Sequence, residues 1–406
     1  MKRVVTISPR YRATSLRRRV RLFLGTLEYY SFRFFGSDNC PFGQAGAIAI
    51  ATLVISLLTG IAMLFFYTPS PERGPAGLAY LSSLPLGNLL RAVHRSAADI
   101  LVLIIVLHIV RTWAGERFRG PRSRNWVKGL LALPLLGLIG WSGYILPWDE
   151  RAMVLASWGR ELLVSIDRWP VISALHIGSL ISAPIFSAGN ETDLLLRIFA
   201  VHIGGAMLAI LLAIWHLKRV TPPRVILPIR AWVVLAILLV LVAQMTPFHH
   251  ADVKPFNPFA PPGIVHVDFL ITFPLLFYPM LGAPLLSAVI AIVWLALALL
   301  PRLEPRKPLV ACVDEVLCDG CRLCAQDCPY GAIIMVSRSA EEHCEEICEV
   351  ARILPAYCNA CGVCVGSCEP DAIELPDLRS ADVVGKIDAI LVNISRNHQT
   401  GQGGLE

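Results

Sequence analysis

Long apolar stretches alternate with polar connections along the chain as far as Leu300. Each stretch is close to the ~20 residues that an α-helix needs to cross a bilayer. The last run starts earlier than a span requires, at Phe269, and its prolines predict a surface helix leading into the final span. The pattern predicts an all-α transmembrane bundle of about six spans, at residues 46–67, 92–112, 127–147, 197–217, 229–246 and 278–300.

The polar connections differ in charge. The first 36 residues carry nine Lys and Arg against one acid, and the short connections after the second and fourth spans are also basic. The long loop 149–196 has six acids and three basic residues. Because cytoplasmic loops collect Lys and Arg, we expect both termini on the cytoplasmic side of a prokaryotic inner membrane. No apolar core of the signal-peptide kind is present in the basic segment.

Composition narrows the class of protein. Of 406 residues 55% are hydrophobic and only 16% are charged, which excludes a soluble enzyme and a disordered chain. Eleven of the twelve cysteines follow residue 311, and the other is Cys40. Cysteines clustered in one tail predict metal ligation, since a disulfide framework scatters its cysteines through a small secreted domain.

Histidines inside two spans form a repeated pattern, His94 with His108 and His202 with His216. Each pair is 14 residues apart, so its members share one helix face about 21 Å apart along the axis. Two such helices place imidazoles opposite each other at two depths, which suits two bis-histidine b haems. A hydrogen-bonded packing role is the alternative for any single histidine. Glycines with the same 14-residue spacing predict clearance for the haems, or else close helix packing: Gly46, Gly60, Gly129 and Gly143.

Motifs around these histidines resemble cytochrome b of the bc complexes, and most closely cytochrome b6, over residues 30–300. They are Arg91-Ala-Val-His94, Leu107-His108-Ile-Val-Arg111, Gly143-Tyr-Ile-Leu-Pro-Trp-Asp149 and Arg197-Ile-Phe-Ala-Val-His202. The resemblance implies one haem near the outer face on His94 and His202, and one near the cytoplasm on His108 and His216. It also implies that Arg91, Arg111 and Arg197 lie near haem propionates, although Arg111 also suits a positive-inside anchor.

Two departures from the family affect the expected chemistry. The family's outer quinol site has Pro-Glu-Trp-Tyr ahead of its sixth helix, whereas here His266 falls where the Glu would be. His266 is therefore a tentative quinol proton acceptor, with a solvated loop histidine as the alternative. In cytochrome b6 a cysteine before the first helix binds a c-type haem covalently. Cys40 lies further from Gly46 than that cysteine does, so an unreactive thiol is preferred over a c-type haem.

The tail beyond a Pro-rich linker is acidic and rich in cysteine. Residues 311–380 hold thirteen acids and four basic residues, an acidic surface that suits a basic partner. Two runs spaced Cys-x2-Cys-x2-Cys-x3-Cys predict two [4Fe–4S] clusters, and structural zinc is the weaker alternative. These runs resemble a two-cluster bacterial ferredoxin, a small α+β fold. The resemblance implies that Cys318, Cys321, Cys324 and Cys368 hold the first cluster, and that Cys358, Cys361, Cys364 and Cys328 hold the second.

The insert between the two cysteine runs carries Cys344 and Cys348 on a predicted helix over Ala340–Leu354. With Cys312 these thiols form a further metal site or remain free thiols, and free thiols are the commoner outcome.

The order of parts predicts a membrane electron-transfer subunit of a quinol/quinone oxidoreductase, linking the quinone pool to cytoplasmic clusters through two b haems. We expect other complex subunits (a Rieske protein and cytochrome c among them), a cytoplasmic carrier or dehydrogenase, a homodimeric core, lipid and no nucleic acid. The alternatives are a quinone-independent conduit and an anchor subunit. The predicted segments are a basic N-terminus (1–45), a di-haem four-helix domain (46–220), two further helices (221–300), a linker (301–310), a ferredoxin domain (311–380) and a tail (381–406).

Overall fold

The computed structural model describes residues 15–35, 44–170, 173–187, 189–217, 227–245, 270–303, 310–328, 330–338, 349–355, 357–358, 360 and 362–375. The chain divides into two compact units. The first comprises residues 1–118, 124–216 and 224–304, and the second 119–123, 217–223 and 305–406. The longer helices are α1 (Ser15–Phe35), α2 (Ala45–Leu64), α3 (Arg73–Ser83), α4 (Gly87–Ala114), α5 (Ser123–Ile145), α6 (Glu150–Ser165), α7 (Ile177–Phe186), α8 (Glu191–Leu217), α9 (Ile229–Met245) and α10 (Tyr278–Leu303).

Five helical segments in the described ranges are long and apolar enough to cross a membrane: Ala45–Leu64, Gly87–Ala114, Ser123–Ile145, Glu191–Leu217 and Phe273–Leu303. The fifth predicted span is the shorter helix α9, with 17 residues. Leu58, Leu211 and Ile292 are each at least 60% exposed. Such an apolar outer surface is what a bundle presents to lipid.

The last span begins differently from the prediction. A short 3-10 turn over Phe273–Phe277 precedes α10, in place of a surface helix. Gly282 interrupts α10 with a φ of 66° and a ψ of 166°. Only glycine tolerates that region readily, and Pro284 follows closely. The kink therefore has a local chemical cause.

The segment predicted as a loop between the third and fourth spans contains two helices. Asp149 caps α6 by accepting a hydrogen bond from the Ala152 amide at 2.8 Å. The Asp167 carboxylate accepts hydrogen bonds from the Gly178 and Ser179 amides at the start of α7. Carboxylates satisfy the free N–H groups of a helix N-terminus. Asp149 and Asp167, which the sequence pattern assigns to a loop, thus cap the N-termini of helices.

Tryptophan side chains join the helices of the first unit by hydrogen bonds to backbone carbonyls. The Trp126 indole donates to Leu297 on α10 at 2.7 Å, and Trp294 of α10 donates back to Leu130 at 3.3 Å. Trp141 donates to Leu155 on α6 at 2.8 Å. Between helices in an apolar medium an indole combines a large packing surface with one satisfied polar atom. These bonds connect α5 to both α6 and α10.

The second unit is built from two repeats, one around each cysteine run, which begin at Cys318 and Cys358. Each repeat contributes two strands and a short helix, α11 (Leu323–Asp327) or α12 (Val363–Gly366). Each strand pairs antiparallel with one from the other repeat, β1 with β4 and β2 with β3. The strands are β1 (Cys312–Val313), β2 (Ile333–Ser337), β3 (Glu349–Ile353) and β4 (Ile373–Glu374). This crossed pairing makes the repeats a single α+β unit.

One predicted element in this unit is wrong where the structure describes it. The helix expected over Ala340–Leu354 is a strand over Glu349–Ile353, which pairs with β2. Val350 and Ala351 are buried there at 2% and 1% exposure. Cross-strand pairing with Ile333–Ser337 overrides the local helical pattern. Cys344 and Cys348 lie outside the described residues.

The packing of α6 against α5 yields a stability prediction. A Cβ at Gly159 would stand 2.5 Å from Cζ2 of Trp141. Overpacking of this kind lowers the free energy of unfolding by about 1–3 kcal/mol. The better helix propensity of alanine raises it by about 1 kcal/mol. Gly159→Ala is therefore expected to lower the unfolding midpoint of the detergent-solubilised protein, followed by tryptophan fluorescence. Gly137→Ala is the control, since its Cβ would meet nothing within 4 Å, and equal midpoints for the two variants would contradict the packing argument.

Candidate functional site

The first histidine pair, His94 of α4 and His202 of α8, meets inside the first unit. The two ring centroids are 6.4 Å apart, with the rings inclined at 64°. Nδ1 of His94 lies 2.9 Å from the Ser56 carbonyl, and Nδ1 of His202 lies 2.8 Å from the Ile139 carbonyl. Donation from Nδ1 to a carbonyl leaves the Nε2 lone pair free for a metal.

The second histidine pair, His108 and His216, lies nearer the C-terminal ends of the same two helices. In both pairs a glycine of a neighbouring helix faces each ring. The Cβ position of each glycine faces the imidazole itself. The glycines therefore leave room for the rings, in addition to the room for the haems that the sequence predicts. From the Cβ position to Cε1 the distances are 3.8 Å for Gly46 and His108, 3.0 Å for Gly60 and His94, 3.3 Å for Gly129 and His216, and 2.8 Å for Gly143 and His202.

The first pair fits a shared haem iron. Two imidazole nitrogens bound at about 2 Å to one metal place their ring centroids about 6 Å apart. The observed 6.4 Å separation matches that requirement. A cavity of about 670 Å³ is lined by both histidines and by Gly60 and Gly143. This volume falls within the range of sites for organic ligands and cofactors.

The predicted arginines take three different positions. Arg91 lines the cavity and donates to the Ser82 hydroxyl at 2.5 Å. Arg111 pairs with Glu28 of α1 at 2.5 Å. Arg197 donates to the Pro184 carbonyl at 2.9 Å and does not line the described part of the cavity. Arg91 is thus the arginine that the structure brings to the first histidine pair.

Several polar residues at the cavity were missed by sequence reasoning. Arg95 lies over the Tyr144 ring at 5.5 Å, and Arg151 pairs with the buried Asp149 at 3.1 Å. Tyr67 donates to the Leu146 carbonyl at 2.8 Å, and its burial raises the pKa of the phenol above its usual range. A charged residue next to a candidate ligand histidine was the available signal for Arg95, because ionisable residues within spans are usually functional.

The first predicted cysteine set comes together in the second unit. Cys318 and Cys324 are buried, Cys321 is exposed, and Cys368 arrives from the other repeat. Burial raises the pKa of the Cys324 thiol to about 11, with a contribution in the same direction from the negative charges of the other three thiolates. Thiolates that repel one another in this way are stabilised by a cationic iron–sulfur core.

The second predicted set is gathered around a small internal cavity. Cys328, Cys358 and Cys364 line this space of about 20 Å³ together with apolar side chains. Cys328 thus crosses to the other repeat, as Cys368 does in the first set. Cys328 Sγ also accepts a hydrogen bond from the Ala332 amide at 3.3 Å, the kind of contact that tunes cluster potentials.

Three predicted site residues fall outside the described residues: Cys361, His266 and Cys40. Where the structure describes the chain, no three His, Cys, Asp or Glu side chains converge on one metal ion. Ile271, from the segment that leads into the last span, lines the 670 Å³ cavity and packs against Gly140.

Comparison with known proteins finds relatives of the first unit. The profile of the family described as cytochrome b/b6/petB matches residues 40–223. A cytochrome b6 from Emiliania huxleyi is 31% identical over 159 residues, which are 39% of this chain and 70% of that protein. A solved structure described as hyperthermophilic respiratory Complex III matches with a TM-score of 0.52 and 20% identity. It covers 65% of this chain and 75% of that chain, and the likeness concerns the fold alone.

The raised pKa of Cys324 predicts slow labelling in cluster-free protein. At pH 8 a thiol with a pKa of about 11 is almost wholly protonated, and only the thiolate reacts. We expect iodoacetamide to modify Cys324 at least tenfold more slowly than the exposed Cys312, with the rate rising as the pH approaches 11. Peptide mapping by mass spectrometry measures both rates in one sample. Equal rates at pH 8 would contradict the burial of Cys324.

Proposed function

Because the chain belongs to the cytochrome b/b6 family, whose members carry b-type haem in the membrane, we propose that it is the electron-transfer subunit of a bc-type redox complex. It exchanges electrons between the quinone pool and two [4Fe–4S] clusters in its second unit. The observation that carries this proposal is the His94–His202 pair, with its 6.4 Å ring separation, facing glycines and adjoining cavity. A haem supplies one-electron cycling between ferric and ferrous iron.

The chain's own residues orient and enclose the haems. His94 and His202 hold one haem and His108 and His216 hold the other, while Gly46, Gly60, Gly129 and Gly143 give the rings room. The carbonyls of Ser56 and Ile139 fix the first two imidazoles with Nε2 facing inward. Arg91 lies at the cavity for a propionate. Arg111 and Arg197 remain propionate partners only by resemblance, since each is bonded elsewhere.

Two cysteine sets hold the clusters. Cys318, Cys321, Cys324 and Cys368 bind the first, and Cys358, Cys361, Cys364 and Cys328 bind the second. The crossing of Cys328 and Cys368 between the repeats supports this assignment, since it follows the two-cluster ferredoxin pattern. Cys321 of the first set is exposed, and Asp314, Glu315 and Asp319 make its surroundings acidic. A basic cytoplasmic carrier or dehydrogenase fits that face.

Quinol is the proposed membrane substrate. Oxidation of one quinol releases two electrons and two protons, so the site needs a proton acceptor beside an electron acceptor. His266 is the proposed acceptor on resemblance. With both termini cytoplasmic, electrons pass between the two faces of the membrane through the histidine pairs. Moving one elementary charge across the membrane changes its energy by about 2.3 kcal/mol per 100 mV of membrane potential. A homodimeric core with further subunits, among them a Rieske protein and cytochrome c, completes the proposed complex.

The haem assignment predicts a selective loss. His94→Leu or His202→Leu is expected to reduce the haem content from two per chain to one, because each removes one of the two histidines that would hold the haem at a single site. Pyridine haemochrome analysis and redox titration measure the count. His176→Asn is the control, since His176 is exposed and has a φ of 47°, which asparagine tolerates. Retention of both haems by either ligand variant would exclude the pairing.

Quinol-driven reduction of the haems and clusters tests the function itself. Anaerobic stopped-flow with a menaquinol or ubiquinol analogue is expected to reduce haem b rapidly, followed by cluster signals in freeze-quench electron paramagnetic resonance. His266→Ala is expected to slow the haem phase at least tenfold by removing the proton acceptor. Haems that respond to dithionite but never to quinol would instead support the quinone-independent conduit.

A further inference from the structure

Lys128 is a buried cation in the third span. It lies near the start of α5, where a lysine can extend along the helix and keep its ammonium in water. The residue is nevertheless only 8% exposed. Ionisable groups buried inside spans are costly and usually serve a function. The proposed haem and cluster machinery does not use this one.

The contacts of Lys128 place its charge beside the second histidine pair. Its Nζ lies 4.1 Å from the centroid of the Trp215 ring and 3.4 Å from the Trp215 carbonyl. Trp215 directly precedes His216. Gly129, which directly follows Lys128, faces Cε1 of His216 at 3.3 Å. The ammonium is thus held between α5 and α8, next to a proposed haem ligand.

Both of these contacts are made to neutral groups. A ring face attracts an ammonium through its quadrupole, and a carbonyl accepts a hydrogen bond from it. Other cations lie near both histidine pairs: Arg91 and Arg151 line the cavity of the first pair, and Arg111 lies near the second. A substitution of Lys128 alone therefore tests the effect of its own charge on the nearer pair.

We propose that Lys128 is a positioning residue that places a positive charge beside His216 and raises the reduction potential of the second haem. The inference rests on the proposed function, since it requires a haem at the second pair. Adding one electron converts ferric to ferrous iron, and a fixed positive charge favours the state with the extra electron. No bond forms or breaks, and no proton is needed.

The test compares a neutral and a charged replacement in the full-length protein. Lys128→Met keeps the side-chain length without the charge, and Lys128→Arg keeps the charge. Both are reconstituted in nanodiscs and titrated potentiometrically while the haem absorbance is recorded. The haem of the second pair is identified as the one absent from His216→Ala.

At the potential where the second wild-type haem is half reduced, Lys128→Met is expected to lower its reduced-to-oxidised ratio at least threefold. This corresponds to about 28 mV at 59 mV per tenfold change for a one-electron couple. The first haem should titrate as in the wild type, and Lys128→Arg should stay within twofold of the wild-type ratio. If Lys128→Met loses the second haem, Lys128→Gln replaces it as the neutral variant. The same titration and the same threefold change in the reduced-to-oxidised ratio are then required of it.

An unchanged ratio in the neutral variant would overturn the inference, and so would an equal fall at both haems, which a general structural change produces. A wild-type protein without two b haems would instead overturn the proposed function. The two failures are therefore distinguishable within one data set.

Discussion

The close approach of a glycine to an imidazole is the contact on which the rest of the bundle depends. It occurs four times, with α2 supplying the glycine to α4 and α5 supplying it to α8. At 2.8 Å from Cε1 of His202, a Cβ at Gly143 would push the ring out of its place. Because the contact recurs at the second histidine of each helix, it also fixes the register of the paired helices at two depths. The spacing of the paired helices, the position of the rings and the cavity beside them therefore all depend on the close approach of a glycine to each imidazole.

A buried imidazole also needs a partner for its Nδ1 proton, and the first pair finds it in the backbone. Ser56 and Ile139 offer their carbonyls at 2.9 and 2.8 Å, and the hydroxyls of Thr59 and Ser142 lie nearby. A hydroxyl on a helix can turn either to its own backbone or to the ring. The rings are thus oriented by uncharged groups of the neighbouring helices. No additional charge has to be buried in the apolar medium.

Much of the site could be predicted from sequence because its signals are periodic. The regular spacing of histidines and glycines and the two cysteine runs depend on local chain geometry alone, and the structure gathers the described members of each. Other features depend on partners that lie outside the segment itself. The strand Glu349–Ile353 forms because β2 lies beside it, and α7 is capped by Asp167, which lies on the preceding connection. Periodicity within a segment does not register such partners.

Under the proposed function, the two units hold redox groups with ligands of opposite character. In the first unit, neutral imidazoles meet in an apolar bundle, and charge enters sparingly, as at Lys128 and the Asp149–Arg151 pair. In the second unit, four cysteines lie close together, and burial with the charges of the neighbouring cysteines raises the pKa of Cys324 to about 11. A thiol binds a metal only as the thiolate, so binding of a cationic iron–sulfur core there would have to release a proton. A neutral imidazole binds a metal through Nε2 without losing a proton, and this difference distinguishes the proposed haem sites from the proposed cluster sites.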